Sequence, residues 1–267
     1  MVREPAVAGT FYPGDRRSLQ DEMARLIPSG GQRIPALGLI SPHAGYVYSG
    51  GCAGKGYGRI DVPDAVIVLG VNHRGTGHPF AVDGHDAWRT PLGECLVDSG
   101  LREQLTAASR IFAVDGTAGR SEHSVEVQVP FIQAVNPQAK ILPITLSSMD
   151  FEDLILGGKE IAQLMEKRGG GVLMVASTDM SHYVGAQTAE RMDRPAIDKI
   201  LDLDPLGLYE AVVGGHISMC GVSPTVMMLA AAVEAGASDA ELIEYTHSGK
   251  VSGDVHQVVA YLSAVVF

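Results

Sequence analysis

The chain is poor in cysteine, has a single tryptophan and concentrates no positive charge, and these shortages close off whole classes of function. Its three cysteines, Cys52, Cys95 and Cys220, are scattered, odd in number and free of any C-x-x-C pair. That excludes a disulfide scaffold or a structural zinc knuckle. Twenty basic residues stand against thirty-one acidic ones, a formal charge of −11, and no basic run exceeds a pair such as Arg16-Arg17. Nucleic acid and anionic membranes need a basic footprint that is missing here, so neither is an expected partner. No apolar run approaches the ~18 residues that span a bilayer. The start, Met1-Val2-Arg3-Glu4-Pro5, lacks the apolar core of a signal peptide, so the expected location is cytoplasmic. A G-x-S-x-G elbow, a P-loop and a G-x-G-x-x-G turn after a strand are absent too, which leaves serine-hydrolase and nucleotide chemistry without support.

What the chain does have is enough apolar matter for a large core. Of its 267 residues 46% are hydrophobic and 19% charged, with no low-complexity tract, the composition of a globular body. Short β-rich runs recur at 36–40, 65–69, 140–146, 172–176, 242–246 and 258–266. Runs apolar on both faces predict buried strands of a largely parallel sheet. Between them, 151–168 has the mixed three- and four-residue spacing of an amphipathic helix, and 225–235 is apolar almost all round, a helix for the interior. Residues 80–83 and 87–98 instead alternate and carry turn residues, which predicts an inserted hairpin. No linker or internal repeat is visible. The expected architecture is a single three-layer α/β/α domain over 1–267 with that hairpin inserted.

Chemistry-bearing residues gather just after the predicted strands. His43 follows the first run and His73 the second; in an open parallel sheet both would lie at carboxyl ends, where ligand crevices form. Neither sits in a short linear metal motif, so a site must be assembled from distant segments. A third polar cluster, Ser177-Thr178-Asp179-Met180-Ser181-His182-Tyr183, follows the 172–176 run, and its Asp179 and His182 could share the same crevice. In Ser121-Glu122-His123-Ser124-Val125-Glu126 two readings stand side by side. The acids could simply complement the dipole of a helix starting there, with His123 on the surface; or His123 could face the crevice as a donor behind the ligands. Cys220 precedes the apolar helix, and a helix amino terminus favours the thiolate that binds metals; Cys52 and Cys95 read as packing residues. Two imidazoles and a thiolate would leave open positions on a metal and suit Zn, Cu or Fe, with Asp179 an alternative carboxylate ligand. The other five histidines, His78, His85, His216, His247 and His256, lie in polar or glycine-rich contexts and read as solvent-facing or locally bonded.

Together these segments resemble one known family. Residues 3–13 (R-E-P-A-V-A-G-T-F-Y-P), 41–50 (S-P-H-A-G-Y-V-Y-S-G), 90–93, 122–130, 179–183, 220–221 and 252–254 are similar, in order, to the motifs of the Memo (mediator of cell motility) family. The resemblance implies a fold related to type III extradiol dioxygenases, whose non-haem iron is held by two histidines and a carboxylate. Carried over residue by residue, the metal histidines fall on His43 and His73, cysteine stands in for the carboxylate at Cys220, the acid/base histidine falls on His182, and Asp179 joins as a pocket carboxylate. Departures from the family pattern, Val71, Thr178 and Lys250, avoid all of these. By resemblance only, a radical-SAM protein and its small companion domain are expected partners. The leading expectation is a metal-binding protein, Fe(II) first and Cu or Zn next, with a dioxygenase-like pocket and redox chemistry on a small molecule. The alternatives are a peptide- or protein-binding module using the old crevice, and a mononuclear zinc hydrolase.

Overall fold

The fold, taken from a computed structural model, is described over residues 1–267, the side chain of Ala108 set aside. In chain order the elements are β1 (Val2–Arg3), α1 (Arg16–Leu26), β2 (Gly38–Ser41), α2 (Tyr46–Arg59), β3 (Ala65–Val71), β4 (Phe80–Val82), β5 (Ala87–Thr90), β6 (Gly93–Leu96), α3 (Ser99–Ala108) and β7 (Ala113–Val114). After a 3-10 turn at Glu126–Gln128 come α4 (Val129–Val135), β8 (Lys140–Leu146), α5 (Phe151–Lys167), β9 (Val172–Ser177), β10 (His182–Val184), α6 (Ala186–Leu201) and α7 (Pro205–Gly214). The chain closes with α8 (Val222–Glu234), β11 (Ala240–His247), α9 (Gly249–Ser252) and β12 (Val258–Val266).

Side-chain alternation along the strands builds the layers. On β3, Ala65, Ile67 and Leu69 enter one hydrophobic cluster while Val66 and Val68 enter another; β9 divides in the same way, Met174 and Ala176 against Leu173 and Val175. The first cluster includes Leu154 and Ile161 of α5 and Val226 to Leu229 of α8. The second includes Leu19 and Met23 of α1, Ala53 and Tyr57 of α2, and Phe131 of α4. Helices therefore cover both faces, which is why these strands read as unbroken apolar runs. The 222–232 stretch of α8 is buried on every side, as its all-round apolar sequence requires.

The four central strands run parallel in the order β2-β9-β3-β8. At the margins the pairing changes: β12 is antiparallel to β2 and β11, and β4 is antiparallel to β8. The 80–98 region also divides. Residues 87–96 form the expected hairpin, antiparallel β5-β6, which joins β1 in a separate three-stranded sheet, whereas β4 belongs to the main sheet. Most consequential is the position of β9, late in sequence yet wedged between β2 and β3. Adjacent strands lie about 4.8 Å apart, so the segments leaving β2, β9 and β3 emerge side by side at one edge.

Candidate metal centre

Three imidazoles meet at that edge. His43 follows β2, His73 follows β3, and His123 comes from the irregular stretch before the 3-10 turn; their ligand atoms all lie within 4.8 Å of one another. The His73 and His123 rings stack, centroids 4.9 Å apart, and His43 meets each edge-on at 5.2 and 5.4 Å. His43 is buried, while the side chains of His73 and His123 are 33% and 26% exposed, so the group is closed from within and open toward solvent.

A close backbone approach brings the third imidazole in. Gly70 near the end of β3 has no room for a side chain: a Cβ there would lie 2.5 Å from Val125 Cγ2 and 2.6 Å from Ser124 Oγ. Ser124 Oγ donates to the Val71 carbonyl at 2.7 Å and completes the dock. The helix expected to begin near Ser121 starts later, with a 3-10 turn at Glu126. Glu122 and Glu126 are both about 1% exposed, so neither is a surface acid complementing a dipole.

Glu122 instead orients two of the rings. Its carboxylate accepts from the backbone N–H and Nδ1 of His73 (2.8 and 2.9 Å), from the backbone N–H groups of His123 and Ser124 (2.8 and 3.1 Å), and lies 3.2 Å from His123 Nδ1. Burial works to raise its pKa, but the hydrogen bonds from both histidines and the backbone outweigh it and hold the carboxyl well below the usual range. An ionised acceptor at each Nδ1 puts the proton there and leaves Nε2 with a free lone pair.

His43 reaches the same state through a neutral chain. Ser177 Oγ donates its one proton to the Ser124 carbonyl at 2.6 Å, which can only accept. It must then accept from Gln128 Nε2 at 2.9 Å and from His43 Nδ1 at 3.0 Å, so Nδ1 carries the proton and Nε2 is bare. Burial lowers the His43 pKa to about 4, although the charge of Asp179 pulls the other way. Imidazoles whose Nδ1 atoms are taken up by protein partners offer Nε2 to a metal, and with ligand atoms within 4.8 Å of one another the three residues fit one.

With this geometry in view, the Memo-like protein family profile matches residues 3–265. The chain belongs to the Memo family. A MEMO1 family protein of Methanosarcina barkeri is 42% identical over 99% of this chain and 100% of its own length. One of Aquifex aeolicus is 40% identical over 99% of this chain and 98% of its own. An uncharacterised protein, JW3007 of Escherichia coli K12, overlaps more loosely in its crystal structure, with a TM-score of 0.47 and 13% identity over 84% of this chain and 98% of that one.

In this Memo-family fold the other expected site residues take distinct places. Cys220 Sγ lies 3.2 Å from His43 Nε2 and accepts from the Asp179 N–H at 3.3 Å. Gly221 makes this possible: a Cβ would sit 2.4 Å from Thr178 Cβ and 2.5 Å from the Ser177 carbonyl. Burial, with the nearby Asp179 charge adding to it, pushes the Cys220 thiol up to about 12. Asp179 is buried and accepts the His43 backbone N–H at 2.8 Å, so it braces a histidine backbone. His182 donates its backbone N–H to Ser218 Oγ at 2.8 Å, and its Nδ1 faces the Ser218 carbonyl at 2.9 Å. That carbonyl accepts only, so His182 Nδ1–H is the donor to it. His123 stands within the imidazole group itself, neither on the surface nor behind the ligands, the two places its sequence context offers. Cys52 and Cys95 are packed in the interior.

Proposed function

We propose that the chain is a mononuclear transition-metal protein, Fe(II) first and Cu next, that carries out redox chemistry on a small molecule. The observation that carries this reading is the shared geometry: three imidazoles whose ligand atoms lie within 4.8 Å of one another, each with Nδ1 facing a protein partner. His43, His73 and His123 would hold the ion, with the Cys220 sulfur beside His43 as a further donor. Imidazole and thiolate suit Fe, Cu and Zn and disfavour Mg and Ca. A bound metal would supply electrons or Lewis acidity at positions the protein leaves open.

The chain's own residues have separate tasks in this reading. Glu122 and Ser177 hold the rings in one tautomer, Asp179 fixes the backbone at His43, and His182 Nε2 takes up or returns a substrate proton. Imidazole with thiolate suits zinc as well as iron or copper, so the metal that the protein retains separates the redox reading from a zinc hydrolase. Metal analysis of protein purified without oxygen tests this, alongside His43→Ala and His123→Ala variants. Near-stoichiometric Fe or Cu in the wild type, lost in both variants, is the expected result. Zinc retained over iron together with ester or amide hydrolysis would replace the redox reading, and a chain that holds no metal and still binds a peptide partner after both substitutions would replace it with the binding module.

A further inference from the structure

The chain's first residues form a brace around the imidazole group that the proposed chemistry does not itself require. Arg3, on β1 of the hairpin sheet, is 2% exposed, and its side chain reaches the 119–126 stretch. Its Nε donates to the Gly119 carbonyl at 2.9 Å and its Nη2 to the Glu122 carbonyl at 2.8 Å, while Nη1 pairs with Glu126 Oε2 at 2.5 Å. The guanidinium also stacks 4.0 Å from the Trp88 ring. Glu126, equally buried, accepts in addition from the Ala6 and Val7 N–H groups at 2.8 and 3.0 Å and from Tyr12 Oη at 2.7 Å.

Two further contacts carry the brace to the histidines. The Phe11 ring packs 4.8 Å from that of His123, and the Phe11 carbonyl accepts the Tyr46 N–H at 2.8 Å, at the helix start three residues after His43. Residues 3–12 therefore touch His123 directly, the carbonyl of Glu122 through Arg3, and the turn that follows His43. With the Glu4 carbonyl at 3.2 Å the planar fork of the Arg3 guanidinium serves three carbonyls and a carboxylate, one acceptor more than the three donors of a lysine can reach.

We infer that Arg3, held by Glu126, is a positioning residue for the metal centre: it fixes the 119–126 stretch so that the Glu122 carboxylate and the His123 Nε2 reach the site together. The inference rests on the metal reading above. It predicts that metal affinity and ligand field, and not folding alone, depend on a residue that offers no ligand atom.

The test is Co2+ titration of metal-stripped, full-length protein without oxygen, followed by visible absorption, with circular dichroism reporting the fold. Two variants are compared with wild type. Arg3→Lys keeps the charge and removes the fork. The double variant Arg3→Met/Glu126→Gln removes both charges together, so that no buried charge is stranded. Arg89→Ala, which removes an exposed arginine bonded to Glu4 and Glu94, serves as the control. Expected are folded variants that bind Co2+ about 10- to 100-fold more weakly with an altered ligand-field band, and a control with the wild-type affinity and band. Wild-type affinity and band in both folded variants would overturn the inference and leave the metal reading standing. Loss of fold in both would also overturn it, since Arg3 would then serve the fold as a whole. Failure of the wild type itself to bind would bring down both readings.

Discussion

His43 and His123 meet in one group but are held there by opposite means. His43 leaves a central strand whose register, Ser41 opposite Ser177, places it before any side chain acts; its ring then needs only Ser177 and its backbone only Asp179. His123 leaves a stretch with no ladder of its own and is placed by side chains: Glu122 beside it, Ser124 on β3, and Arg3 with Glu126 behind. A strand end positions a ligand through backbone hydrogen bonds shared with the whole sheet. A loop positions one through a few buried polar groups, each of which is costly to lose.

Breaking the loop-built half should have the largest effect. Glu122→Ala leaves the N–H groups of His73, His123 and the buried Ser124 without their acceptor and frees two rings; a loss of about 3–5 kcal/mol in stability and of about 100-fold or more in metal affinity is expected, read by urea unfolding and metal titration. If affinity barely changes, the strand-borne histidines hold the ion without the loop.

Acid should strain the strand-built half next. Because His43 titrates near 4 in the fold against an ordinary 6.5, the unfolded chain takes up its proton first. The stability due to this group is complete above about 6.5 and is lost as pH falls toward about 4, by up to about 3 kcal/mol. Urea midpoints of metal-free protein between pH 7.5 and 4 measure it, and His43→Gln should flatten that part of the curve.

The seam between the halves comes third. Gly70→Ala drives a methyl into Ser124 and Val125 and should cost about 1–3 kcal/mol while loosening metal binding, because the loop must shift off β3. An affinity that stays constant while stability falls would show that the loop finds its place without that contact. The smallest effect is expected from Ser177→Ala, which removes one acceptor at His43 Nδ1: about 1 kcal/mol of stability and about tenfold in metal affinity. A larger drop than for Glu122→Ala would reverse the comparison.

The same division governs what could be read from the chain. The central strands, the amphipathic α5, the buried α8 and the 87–96 hairpin were legible because periodicity and turn residues act locally. His43 and His73 were legible as strand-end residues for the same reason. Glu122 was visible only as a first-turn acid of an expected helix, beside a histidine, and its burial beneath two imidazoles had no local signal. Arg3 and Glu126 lie 123 residues apart, and nothing in either neighbourhood announces the other.

From its residues alone, the chain determined which segments become the central strands and long helices, that it carries a formal charge of −11, and that histidines crowd the strand ends. Hydrophobic period and charge are properties of neighbours in sequence, and neighbours suffice to express them. Tertiary structure decided that β9 slides between β2 and β3, that His123 joins the imidazole group, and that the Cys220 sulfur stands beside His43. Those outcomes depend on long-range pairing, close backbone approach and desolvation, which come into being only when distant segments exclude water together.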